Sequence, residues 1–197
     1  MMRRRWLRAT VISGGLFAGL FGAVAALAPQ PRLIWNASAS MPLGFYRVEV
    51  GRRPVAGDMV VAEPASDVAA LLAARSYLPR GVPLLKRAAA TEGSLVCRSG
   101  AFVTVDGAGV ARARAHDRLG RPLPEWLGCR RLQRGEVFLL GDAPDSFDGR
   151  YFGPLPALAV IGTAHPLLTR DAPGAPLRWR PNPQSPASTS EEKEPTP

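Results

Sequence analysis

A run of twenty residues without a charge, Ala9 to Ala28 (ATVISGGLFAGLFGAVAALA), settles the character of one end of this chain. At ~1.5 Å per residue, a helix of that length spans ~30 Å, the thickness of a bilayer core. Arg3, Arg4, Arg5 and Arg8 precede it. A basic cluster on that flank stays in the cytoplasm, so Met1–Arg8 is expected inside and the remainder beyond the membrane. A cleaved signal peptide is the rival, because Ala26-Leu27-Ala28 is an A-x-A site. Pro29 just after that site suits cleavage poorly, and the run exceeds a usual signal-peptide core. The expectation is an uncleaved single-pass anchor over 9–28. Gly15 and Gly19 form a GxxxG, but in so Gly- and Ala-rich a run the spacing is weak evidence for helix pairing.

The other end, Asp171 to Pro197, is rich in Pro, Ser and charge and has no apolar period. It is expected to be a disordered tail, with Leu177 and Trp179 as residues that can dock. Residues 30–170 remain for one folded domain. The net charge of +9 does not make a nucleic-acid binder. Four of the arginines precede the anchor, and the others are scattered among acids without an aromatic-interleaved patch.

Short apolar runs separated by turn residues dominate the body. Phe45–Val48, Met59–Val61, Val82–Leu85, Leu95–Cys97, Phe102–Val105, Val137–Leu140 and Leu158–Thr163 are expected strands. Asp106-Gly107 signals a hairpin turn. Ser66–Tyr77 is the expected helix, capped by Ser66 or Asp67 and closed by Pro79. The class is mainly β with one or two short helices. Cys97 and Cys129 face an oxidising compartment under this topology, where pairing is the expectation and two buried free thiols the alternative. A bridge would close a loop worth ~3–4 kcal/mol in the chain-entropy model. Two cysteines and two scattered histidines make no zinc cage, and no metal or cofactor is expected.

Only two of the 25 basic residues are lysines, Lys86 and Lys193, and Lys193 lies in the tail. Lys86 sits in the apolar run Pro83–Ala90. Burial disfavours an ammonium, and a lysine made neutral that way can serve as a general base to a serine hydroxyl. The plainer reading is a packed stem whose amine reaches water. Ser38 and Ser40 stand two apart in Asn36–Gly44, so in an extended segment both hydroxyls face one side. A third segment, Gly141–Gly153, interleaves Asp142, Asp145 and Asp148 with Ser146 and Arg150. It lacks the spacing and terminal Glu of an EF-hand, which leaves a loop stitched by Asp–Arg pairs as the plain alternative.

Taken together, S-M-P-L-G-F-Y at Ser40–Tyr46, L-L-K-R at Leu84–Arg87 and G-D-x-x-D-S-x-D-x-R-Y-F-G at Gly141–Gly153 resemble the S26 signal peptidase family of serine proteases. Gly57-Asp58-Met-Val-Val looks like the family's intervening strand. Gly120–Cys129, with Cys97 upstream, is similar to the conjugative-transfer, TraF-type branch. The resemblance implies a signal peptidase-like (LexA/signal peptidase) β fold behind an N-terminal transmembrane helix. It implies Ser40 as nucleophile, Lys86 as general base and Ser38 with the Ser40 N–H as oxyanion donors. Ser146 would orient the lysine, and Asp142, Asp148 and Arg150 would form the supporting loop. Gly149 departs from the usual D-S-R-Y pattern at a position without a chemical role. Neither His116 nor His165 is assigned to catalysis. The short stretch between the cysteines leaves no room for a large second domain.

The implied activity is a membrane-anchored serine endopeptidase on a membrane-associated precursor. In the TraF-type branch that precursor is a pro-pilin, with cyclisation of the product as a coupled outcome. A general type I leader peptidase is the alternative within the enzyme class, and a non-catalytic anchored assembly factor is the alternative outside it. The implied location is the bacterial inner membrane, with the catalytic domain periplasmic. About a dozen residues, ~40 Å at full extension, separate Ala28 from Ser40, which keeps the hydroxyl near the membrane face.

Overall fold

A computed structural model of the chain describes residues 2–27, 30–172 and 174–180. The chain divides into two units, Met1–Pro31 and Arg32–Pro197. The first is the helix α1, Met2–Leu27, which begins among the arginines rather than at Ala9. Its Arg4–Val24 stretch is long and apolar enough to cross a membrane. Ala28 and Pro29, the end of the expected anchor and its flanking residue, lie outside the described residues.

The second unit is mainly β. Its strands are β1 (Leu33–Asn36), β2 (Leu43–Val50), β3 (Met59–Ala62), β4 (Leu84–Ala90), β5 (Leu95–Ser99), β6 (Phe102–Val105), β7 (Ala108–Arg112), β8 (Gly128–Arg131), β9 (Glu136–Leu140), β10 (Leu155–Pro156), β11 (Val160–Arg170) and β12 (Arg178–Trp179). Among the described residues it also has two short helices, α2 (Ser66–Ala74) and α3 (Gly149–Phe152), and a 3₁₀ turn at Ala157–Ala159. Among the described residues the larger sheet runs β1-β2-β11-β3-β4-β9-β10, with β12 on β11, and a smaller sheet runs β7-β6-β5-β8.

Alternation explains the larger sheet. In β2, Gly44, Tyr46 and Val48 are buried while Phe45, Arg47 and Glu49 are exposed, the period-2 pattern of a strand covered on one face. Tyr46, Val48, Val61, Leu85 and Ala164 pack one apolar cluster with Met41. Val60, Ala62, Ala88, Val137, Leu139 and Leu155 pack another. The smaller sheet is joined to β9 by a third, in which Val96 and Val103 meet Leu132, Phe138 and Leu140. Asp106 and Gly107 link β6 to β7 with φ of 49° and 83°, the positive pair that a tight two-residue hairpin requires. Cys97 and Cys129 face each other across β5 and β8 and form a disulfide.

Several boundaries differ from the sequence reading. The strand expected at Val82–Leu85 starts at Leu84 and continues to Ala90, because Arg87, Ala88 and Ala90 find ladder partners in β9. The strand expected at Leu158 begins at Val160, after the 3₁₀ turn. Helix α2 stops at Ala74, short of Tyr77, and its N-cap is Ala65 without a side-chain cap bond. Strands β1 and β8 and helix α3 carried no strong signal. Part of the expected disordered tail is ordered: Arg178 and Trp179 pair with Thr169 and Leu168. Trp179 nevertheless stays 66% exposed, and Leu177 is also exposed. Residues 181–197, including Lys193, lie outside the described residues.

Gly162 lies where β11 passes between β2 and β3. A Cβ there would overlap the Glu49 carbonyl oxygen and come 2.9 Å from the Val50 Cα, both backbone atoms that cannot swing aside. Gly162→Ala should therefore cost about 1–3 kcal/mol of stability. Gly109→Ala, with nothing within 4 Å of its added methyl, should stay within about 0.5 kcal/mol of wild type. Denaturant unfolding of the detergent-solubilised chain checks the pair, and an unchanged midpoint for Gly162→Ala would contradict this packing.

Candidate functional site

Lys86 occupies the third position of β4, paired with Val60 of β3. It is 4% exposed, unlike nearly every lysine on a protein surface. Because Arg87 pairs with Leu140, the chain leaving β9 emerges beside Lys86. The loop that follows turns Ser146 back, and the Lys86 amine donates to Ser146 Oγ at 2.9 Å. Burial lowers the Lys86 pKa from 10.5 to about 8. The negative charge of Asp148 opposes that fall, the Arg150 guanidinium favours it, and Asp142 opposes it.

The loop holding Ser146 is tied by a buried ion pair. Arg150 Nε and Nη2 donate to the two oxygens of Asp148, each at 2.9 Å. The same guanidinium donates to the carbonyls of Gly141, Ala143 and Pro144 at 2.7–3.0 Å. Asp148 also accepts from the Gly141 and Arg150 amides. Each guanidinium nitrogen of Arg150 and both carboxylate oxygens of Asp148 thereby have a partner, the condition under which a buried ion pair is tolerable. Asp142 belongs to a different contact. It pairs with Arg87, which donates through Nε at 3.1 Å and Nη2 at 3.0 Å. That bond raises the Arg87 pKa.

Ser38 and Ser40 lie in the connection from β1 to β2. The segment is a turn rather than extended, yet the two hydroxyls come within 2.9 Å of each other. The buried Asn36 shapes this turn: its Nδ2 donates to the carbonyls of Ser38, Met41 and Pro42, and its Oδ1 accepts the Ser38 amide. Tyr46 adds a bond from its hydroxyl to Pro42 O at 2.7 Å. Burial, and then the charge of Asp142, push the Tyr46 pKa up to about 12, so it remains a donor. Neither residue was singled out from the sequence. An Asn two residues before a Ser, the signature of an Asx turn, was the available signal.

The two halves of the site meet at the Ser40 carbonyl, which accepts the amides of Asp142 at 2.8 Å and Ala143 at 3.3 Å. Gly141 is the spacer at this junction. A Cβ on it would overlap Ser146 Oγ and lie 3.1 Å from Ser40 O. Ser38, Ser40, Lys86 and Ser146 line one cleft of about 1040 Å³, whose wall includes Ile34, Leu72 and Leu84. In this arrangement Ser40 Oγ bonds to Ser38 and the Lys86 amine to Ser146, and no hydrogen bond joins Ser40 to Lys86. Neither Cys97 nor Cys129 lines this cleft. Among the described residues no group of three or more acidic, His or Cys side chains is arranged to hold a metal.

Comparison with known proteins supplies the class. The model of a family described as signal peptidase, peptidase S26, matches residues 3–168. The chain belongs to this family, which makes it a peptidase of the serine type. It is 34% identical over 171 residues to the conjugal transfer protein TraF of Agrobacterium fabrum (strain C58 / ATCC 33970), covering 82% of this chain and 91% of that one. It is 31% identical to the plasmid transfer protein TraF of Escherichia coli over 68% of this chain and 81% of that one. A crystal structure of a signal peptidase I from Enterococcus faecalis V583 matches with a TM-score of 0.35 and 19% identity, over 57% of this chain and 97% of that chain. Family membership and the apolar N-terminal helix together support membrane anchoring.

The Lys86 environment has a consequence for stability. The folded chain releases the Lys86 proton near pH 8 and the unfolded chain near 10.5. Between those values the unfolded state binds more protons, so stability rises with pH, by up to about 3 kcal/mol from this one group. Lys86→Met should lack that rise. Denaturant unfolding at pH 7.5 and 10 would check it, and an equal pH response in both proteins would rule out the buried ammonium.

Proposed function

We propose that the chain is a Ser-Lys endopeptidase in which Ser40 attacks the substrate carbonyl and Lys86 accepts its proton. The observation that carries this reading is the burial of the body's one lysine, with its amine held by Ser146, in the same cleft as Ser40. A base working near neutral pH needs a pKa near that range, and an ammonium at its ordinary value would hold its proton too tightly. Ser146 accepts from the amine and orients it. For attack, the Ser40 hydroxyl leaves Ser38 and turns toward Lys86, a change between staggered χ1 wells.

The same turn frees the oxyanion donors. The Ser40 N–H now donates to Ser38 Oγ at 3.3 Å. A substrate carbonyl entering between them takes both the N–H and the Ser38 hydroxyl, where negative charge develops as the tetrahedral centre forms. Lys86 then gives its proton to the leaving amine, and an acyl group remains on Ser40. Asp142, Asp148 and Arg150 hold the loop that presents Ser146.

The substrate we infer is a membrane-associated precursor protein, specifically a pilin precursor of a conjugation system. The support is the extent of the similarity to conjugal transfer proteins over most of both chains. Water attacking the acyl-enzyme gives a cut product, and the precursor's own amine gives a cyclic one. Removal of a leader peptide is the second reading, favoured by the family description. We further infer that the enzyme is anchored in the bacterial inner membrane with its domain on the periplasmic side, a reading supported by the apolar N-terminal helix and the arginines that precede the apolar run.

Co-expression of candidate pro-pilins with wild type, Ser40→Ala and Lys86→Arg tests this. Mass spectrometry should find cut or water-loss cyclic product only with wild type, and kcat/KM should rise with pH through about 8. Lys86→Arg working near the wild-type rate would defeat the neutral-base role, since a guanidinium does not deprotonate.

A further inference from the structure

Outside the ion pair and Ser146, the loop after β9 is gripped by one residue of the smaller sheet and one of the segment that leads into it. Arg98 on β5 is 4% exposed. Its Nη1 donates to the Arg150 carbonyl at 2.5 Å and its Nε to the Gly100 carbonyl at 3.0 Å. Its guanidinium carbon lies 5.9 Å from the centre of the Tyr151 ring. Its acidic partner among the described residues, Glu125, is 3.5 Å away and half exposed, so backbone carbonyls rather than a carboxylate take most of its donors. Trp126 does the parallel job one residue earlier, donating Nε1–H to the Gly149 carbonyl at 2.9 Å. Its ring packs edge-on against Phe138 at 6.2 Å.

These two grips have a common base. Arg98 follows Cys97 directly, and Trp126 lies shortly before Cys129. The disulfide joins the two segments that carry them. Gly149 cannot be enlarged, because a Cβ would lie 2.6 Å from Leu139 O and 2.7 Å from the Phe138 ring. Gly149 is therefore pressed against β9, while its carbonyl and that of Arg150 are held by Trp126 and Arg98.

We propose that Arg98 and Trp126 are positioning residues: by holding the Arg150 and Gly149 carbonyls from a disulfide-braced sheet, they set the Asp148–Arg150 pair and so the placement of Ser146 against Lys86. This rests on the Ser-Lys reading for its catalytic consequence, but not for its structural one. The guanidinium of Arg150 ties Gly141, Ala143 and Pro144, so a shift of its backbone moves the whole loop. Loss of either grip loosens that loop and admits water to the amine. The charged groups that act on the amine are Asp148, Arg150 and Asp142, all carried by this loop.

The sequence makes a direct test possible, because the chain contains only two lysines. Selective ¹³C-lysine labelling of the full chain in detergent gives two Cε signals, and Lys193→Arg assigns them. The variants are Arg98→Gln and the milder Trp126→Phe, which keeps an aromatic ring to pack against Phe138 but removes the indole N–H. Arg112→Gln is the control, since Arg112 lies on the same small sheet and rests on Phe102 away from the loop. Both variants should move the Lys86 midpoint up from about 8 toward the ordinary lysine value, by half a unit or more. In the cleavage assay they should lower kcat ~10–100-fold with KM little changed, the signature of a displaced group rather than lost binding. Arg112→Gln should match wild type in both measurements.

If folded Trp126→Phe and Arg98→Gln keep the wild-type midpoint and kcat, the proposal fails. If Arg98→Gln does not fold, Trp126→Phe alone decides. A Ser40→Ala enzyme that still cleaves would sink the Ser-Lys reading instead, while a shifted Lys86 midpoint would still support the grip.

Discussion

Everything in the site depends on an ammonium-forming side chain taken out of water on an interior strand. Lys86 lies between β3 and β9, where the neighbouring positions of its strand, Leu85 and Ala88, are packed in the apolar core. Removing a charge from water is costly, and a protein can meet that cost by pairing the group or by neutralising it. Here the direct partner is a neutral hydroxyl, Ser146, and no carboxylate lies within ion-pairing distance of the amine among the described contacts. The proton is consequently held less tightly than in an ordinary lysine.

The supporting architecture follows from that choice. A neutral orienting group must be placed by other means than charge, so the loop carrying Ser146 has its own closed ion pair. Asp148 and Arg150 spend their hydrogen bonds on each other and on the loop backbone, leaving Lys86 to the serine. The Ser40 carbonyl then couples this loop to the turn from β1 to β2. Two segments a hundred residues apart in sequence become one cleft where the connection from β1 to β2 meets the loop after β9. The smaller sheet extends the same scaffold outward through Phe138, Trp126 and Arg98 rather than forming a separate body.

Much of this was legible in order but not in contact. The lysine count pointed to Lys86, and the serine pair with the Asp-rich loop pointed to the other participants. The residues expected to form the supporting loop, Asp142, Asp148 and Arg150, divide between two ion pairs, one of them made with Arg87. Nothing in local pattern distinguishes those pairings, since each depends on strand register. Asn36 escaped notice because its role is to bond three carbonyls, a property of the turn it creates. The expected extended geometry of Ser38 and Ser40 was replaced by a turn that brings the hydroxyls together by another route. Arg178 and Trp179 gained a strand because β11 is long enough to offer them partners, which composition does not reveal.

By itself the chain determined an apolar helix at the start, a β-rich body, its hairpin at Asp106-Gly107 and the residue types able to do acyl chemistry. These are decided by local hydrophobicity, backbone preference and side-chain chemistry, which travel with the residues. Tertiary structure alone decided that Arg87 faces Leu140, that Ser146 returns to Lys86 and that Ser38, not Lys86, holds the Ser40 hydroxyl in the resting arrangement. Those outcomes come from burial and register across strands distant in the chain, and a lysine's proton affinity exists only once the surrounding water has been displaced.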